Sequence, residues 1–111
     1  VDSIPSSANQ EDIVSMGTTA ARKAGWIVQN TLSVLADELL TACQAIDIRR
    51  QLNTHGQGIT PLHEALYKHV REKVAFFEID REIWPDIKAV EAMVRSGELL
   101  EIADQILPDL E

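Results

Sequence analysis

The 111 residues carry 10 Lys and Arg against 18 Asp and Glu, a formal net charge of −8, with 45% hydrophobic residues, 5 Gly and 4 Pro. This is one domain at most, of ordinary soluble composition, able to bury roughly 65% of its unfolded surface. The scattered basic residues argue against a nucleic-acid or anionic-membrane partner, since either needs a concentrated positive face.

Pro5 discourages helix before it, and Ser6 or Ser7 is placed to cap a short helix through Glu11 and Asp12. After Gly17, with Thr18 or Thr19 as cap, nothing stops a helix over residues 18–51 except Gly25, which only weakens it. At 1.5 Å per residue that helix is a rod of about 50 Å. A compact chain of this length is only about 35 Å across, so one copy cannot cover it. Ala20, Ala24, Ile27, Val28, Leu35, Leu39, Ala42 and Ile46 make an apolar stripe at helical spacing. Trp26, Leu32, Val34, Ala36, Leu40, Cys43 and Ile48 widen it to most of the circumference. A helix apolar on most sides is surrounded by other helices, so the expectation is a bundle completed between chains. The longest uncharged stretch, residues 24–36, is short of the ~20 apolar residues a membrane helix needs.

Residues 53–58 (NTHGQG) read as a loop. Thr60 then caps a second helix with Pro61 at its first position and Glu64 near its positive end. Its stripe is Leu62, Leu66, Val70, Val74 and Phe77. Asp80 is read as capping a third short segment, residues 81–87, in which Pro85 forces a break or a new start. A fourth helix covers residues 86–96 with Gly97 as its C-terminal cap, and a last one covers residues 98–107, ended by Pro108. No strand pattern, repeat or low-complexity tract is present. The expected fold is all-α: a long central helix plus shorter helices in a bundle completed by oligomerisation.

Three constellations carry little chemistry. His55, His63 and His69 are spaced by eight and six, so no two share a helical face, and no metal site is expected. Cys43, the only cysteine, excludes an intrachain disulfide, as suits a reducing cytoplasm, and lies within the apolar stripe where thiols are inert packing. Glu98, Glu101 and Asp104, spaced by three, read as one solvated face.

Residues 1–17, VDSIPSSANQEDIVSMG, are the most specific stretch. Taken alone, Glu11 is a first-turn acid stabilising a helix N-terminus by about 0.3–1 kcal/mol. The run resembles the late active-site segment of the histidine and aromatic amino acid ammonia-lyases. Ala20-Ala21-Arg22-Lys23 and residues 42–47 (ACQAID) continue that resemblance through about Arg50. It implies a single C-terminal region of a longer enzyme: residues 1–17 as active-site segment, 18–51 as long bundle helix, 59–111 as peripheral helices.

The resemblance further implies a substrate wall. Glu11 matches the position that faces the substrate side chain, where a carboxylate accepts an imidazole N–H. Glutamate there points to L-histidine, converted to urocanate and ammonia; Ile13, however, follows Asp12 where a histidine is common. Gln10 and Ser7 are the other substrate-binding candidates. The family's electrophile is a methylidene-imidazolone group made from an Ala-Ser-Gly triplet. That triplet is absent, since Ser96-Gly97 follows Arg95, and Tyr67 matches no catalytic motif. The chain alone is therefore expected to be inactive, with no catalytic residue of its own. Its expected partners are further copies, as a cytoplasmic tetramer, and an amino acid substrate. The alternatives are a tyrosine or phenylalanine ammonia-lyase, an aminomutase, or a non-catalytic helical assembly module.

Overall fold

The computed structural model describes residues 7–8, 10, 16–52 and 58–107. Among these, four helices follow in order: α1 (Gly17–Gln51), α2 (Pro61–Lys73), α3 (Trp84–Ser96) and α4 (Glu98–Ile106). No strand occurs among the described residues. The chain divides into two compact units, Val1–Asn30 and Thr31–Glu111.

In the first unit, the described part of α1 begins when the Met16 carbonyl accepts the Ala20 N–H at 2.8 Å. Gly17 is the first helical residue rather than a break before the helix. Gly25 continues the helix, as its modest propensity cost allows. All of residues 17–30 are exposed, including Trp26, Ile27 and Val28.

The second unit holds the core. α1 contributes Ala36, Leu40 and Cys43, at spacings of four and three, so they lie on one helical face. Val70 and Val74 come from α2 and its C-terminal cap, and Val90 and Met93 from α3. Leu39, Tyr67, Ile87, Ala89 and Leu99 pack around that cluster. Fully burying each such aliphatic side chain contributes roughly 1.5–3 kcal/mol, so this small cluster is the main apolar stabiliser of the unit.

The helix ends follow local chemistry. Thr60 caps α2 with extended backbone, its side chain accepting from the His63 N–H at 3.3 Å, and Pro61 occupies the first turn. α2 stops at Lys73, and Val74 is extended at φ −124°. Phe77 therefore lies beyond the helix whose stripe the sequence extended to it. Residues 81–83 are not helical, and Pro85 opens α3 instead of breaking a separate segment. A proline at a first-turn position has no intrahelical N–H bond to lose, which is why one helix replaces the two expected. Asp80 caps nothing; the cap position of α3 is Ile83, with no side-chain bond. Gly97 ends α3 at φ 85°, a left-handed conformation that glycine takes without a Cβ penalty.

Candidate functional site

The three expected substrate-binding residues are placed unequally. Glu11 lies outside the described residues, as do Asn9 and Asp12. Ser7 and Gln10 close a turn in which the Gln10 N–H donates to the Ser7 carbonyl at 3.1 Å, and both are exposed. Ser7 and Ala8 have φ of 49° and 56°. An N-cap residue has extended backbone, so Ser7 is a turn residue and not the cap of a right-handed helix. Two successive non-glycine residues in the left-handed region cost backbone energy, a feature concentrated at functional segments.

The most connected polar site of the second unit joins α1 to α2. Asp47 accepts the Tyr67 hydroxyl on one carboxylate oxygen and the Arg71 Nε, at 2.8 Å, on the other. Arg71 Nη2 also approaches Asp47 Oδ2 at 2.6 Å and donates to Gln44 Oε1 at 3.3 Å. Its Nη1 donates to the carbonyls of Val74 and Ala75, both at 3.3 Å. The guanidinium is thus used on every nitrogen, as a planar multi-donor group permits and a lysine does not.

Gln44 completes this arrangement. Its Nε2 donates to the Phe77 carbonyl at 2.8 Å and its Oε1 accepts the Phe77 N–H at 3.1 Å. Burial, followed by the bond to the Asp47 carboxylate, pushes the Tyr67 phenol above its ordinary pKa and keeps it a donor. Arg50 stacks over the Tyr67 ring, 4.5 Å from its centroid, and pairs with Glu64. Burial likewise raises the Cys43 thiol, so it stays protonated and serves as packing.

Two further carboxylates are held by cations. Glu91, buried on α3, accepts from Lys88 at 2.7 Å, Arg95 at 3.2 Å and the Ser33 hydroxyl of α1 at 3.4 Å. The Lys88 bond is the leading cause of its lowered carboxyl pKa, with Arg95 adding to it. Glu98 binds Lys73 Nζ at 2.9 Å and lies 3.2 Å from His69 Nε2, so it is not the solvated acid the sequence indicated. Glu101 and Asp104 are exposed, in keeping with that expectation. His63 meets the Thr60 hydroxyl through Nδ1 at 2.7 Å, and His55 lies outside the described residues. No group of three His, Cys, Asp or Glu side chains among the described residues is placed to hold a metal ion.

An apolar cleft of about 230 Å³ opens between α1 and the irregular segment after α2. Leu40, Gln44 and Ile48 line one side, and Ala75, Phe77 and Ile83 the other. Its one carboxylate, Asp86, is paired with Arg81. Sequence inspection assigned no role to Gln44, Asp47, Tyr67 and Arg71 together. Their signal was present in the spacing: Gln44 and Asp47 at i,i+3 on one helix, Tyr67 and Arg71 at i,i+4 on the next. Among the described residues, these polar clusters pair carboxylates with cations and hydroxyls between helices and hold the helices in register.

The model of the family described as aromatic amino acid lyase matches residues 1–72. The chain belongs to the aromatic amino acid lyase family. It is 47% identical to the histidine ammonia-lyase of Symbiobacterium thermophilum over all 111 residues, which are 21% of that protein. It is 51% identical to the histidine ammonia-lyase of Caldanaerobacter subterraneus subsp. tengcongensis over 102 residues, covering 92% of this chain and 19% of that one. The tyrosine aminomutase of Streptomyces globisporus superposes with a TM-score of 0.75 at 35% identity, over 93% of this chain and 19% of its own. The chain thus spans about one fifth of the length of the relatives it matches. No helix among the described residues of this family member is long and apolar enough to cross a membrane. The family match ends within α2, whereas the first of these histidine ammonia-lyases aligns through α3 and α4 as well.

Proposed function

We propose that the chain is part of a histidine ammonia-lyase, which converts L-histidine to urocanate and ammonia in histidine catabolism. One observation carries the reading: 47% identity to a histidine ammonia-lyase maintained over the whole chain. In this reading Glu11 accepts a hydrogen bond from the substrate imidazole and favours its charged form. Gln10 supplies an amide to the substrate's polar groups, and Ser7 a hydroxyl beside it. Residues 1–17 form the active-site segment, 18–51 the bundle helix and 59–111 the periphery of one helical C-terminal region.

The methylidene-imidazolone electrophile, which activates the amino acid for loss of ammonia, comes from outside these 111 residues. The single Ser-Gly pair is a helix terminus: Ser96 Oγ donates to the Met93 carbonyl, and Gly97 is the left-handed cap. The exposed apolar residues of α1, among them Trp26, Ile27, Val34 and Leu35, are suited to subunit contacts in a cytoplasmic homotetramer.

A second reading, an aminomutase acting on tyrosine, is favoured by the likeness to the Streptomyces globisporus aminomutase. Assay of the intact enzyme separates the two. Urocanate from L-histidine, with loss of about 10–100-fold in kcat/KM in Glu11→Gln, is the expected result, since a hydrogen bond to a charged group contributes about 1.5–3 kcal/mol. Formation of a β-amino acid from L-tyrosine, with no turnover of histidine, replaces the first reading with the second.

A further inference from the structure

We infer that α4 is a separately opening strap, tied to α2 by the carboxylate of Glu98. Three features mark it as the least secured helix of its unit. It has nine residues, well below the length at which a helix persists alone in water. It contains no buried residue, whereas α3 contributes Val90, Glu91 and Met93. Its N-terminus follows the left-handed Gly97, which offers no side-chain cap, and the Glu98 N–H reaches the Ser96 hydroxyl only at 3.4 Å.

What attaches it is a half-buried apolar edge, with Leu99 against the core, and one shared carboxylate. Glu98 Oε1 and Oε2 accept from Lys73 Nζ at 2.9 and 3.2 Å. On the same side, His69 Nε2 lies 3.2 Å from Glu98 Oε2, and His69 Nδ1 lies 3.7 Å from Glu72. That Nε2 is buried yet not aligned for a hydrogen bond. Opening α4 gives the imidazole to solvent and uncovers Leu99, Ile102, Ala103 and Ile106, which are only partly buried. Opening α3 uncovers the fully buried Val90 and Met93, so α4 opens below the free energy that frees α3. The Lys73–Glu98 pair is partly exposed and therefore weak and screened by salt.

Hydrogen exchange read by mass spectrometry over peptides of α3 and α4 tests the inference. Wild type, Glu98→Gln, Lys73→Met and the double variant are compared at low salt. In wild type, α4 amides exchange about tenfold or more faster than those of α3. Glu98→Gln raises the α4 rate a further ~threefold and leaves α3 unchanged. Adding Lys73→Met to Glu98→Gln produces no further rise, because the same tie is already cut. Equal exchange across both helices, an α4 rate unmoved by Glu98→Gln, or additive effects in the double variant overturns it.

Discussion

Residues 17–30 and residues 31–51 belong to the same α-helix and lie in opposite environments. The first stretch is exposed throughout, Trp26 at 63% and Ile27 at 56%, although it carries the apolar run Trp26, Ile27 and Val28. The second buries Ala36 and Cys43 almost completely and anchors a polar network through Gln44 and Asp47. Helical backbone, once nucleated, propagates without burial, whereas stability comes from the face that packs. Apolar character in the sequence therefore marks where a surface is meant to be covered; it does not say that this chain covers it.

The largest expected effect that sharpens this contrast is at Met93, which is fully buried on α3 in the core cluster that also holds Ala36, Leu40 and Cys43. Met93→Ala lowers the unfolding free energy by about 2–5 kcal/mol, seen as a lower midpoint in urea with an unchanged slope. Asp47→Ala follows, at about 2 kcal/mol, because it leaves Arg71 and the Tyr67 hydroxyl without their shared acceptor. Asp47→Asn, which still accepts from Tyr67, recovers part of that loss in the same urea titration.

The smallest effect belongs to the first stretch. Ile27→Glu shifts unfolding by no more than about 0.5 kcal/mol, since the side chain is more than half exposed. Its consequence is seen in light scattering instead, as a lower associated mass at equal concentration. A stability loss at Ile27 as large as that at Met93 breaks the comparison outright.

Much of this layout was legible in the residues. Helical periodicity marked the long helix to within one residue at its start, and Thr60-Pro61 and Gly97 marked their boundaries by their own chemistry. Pro85 was read as a break or a new start, and it is the new start; the separate segment over residues 81–87 was the error, because residues 81–83 are not helical. Val74 was read as helical because it keeps the spacing of four, yet its burial is achieved in an extended conformation. Glu98 was read as solvated because only the approach of α2 brings Lys73 and His69 to it. Of the candidate substrate residues, Ser7 was read as a helix cap, and with Ala8 it takes the left-handed conformation of a turn instead. A cap and a left-handed turn draw on the same small polar residues.

The pair of hydrogen bonds between Gln44 and the backbone of Phe77 has a consequence for how this chain avoids its neighbours. A backbone position outside a helix offers an N–H and a C=O that need partners, and in a sheet another strand answers them. Here one primary amide answers both, as a peptide group does, from the flank of a helix. The run is thereby closed at Phe77 to edge-to-edge pairing, the route by which unprotected strands recruit other chains into aggregates. Glutamate in that position keeps the acceptor but loses the donor, and asparagine is one methylene short, so the protection rests on a single kind of side chain.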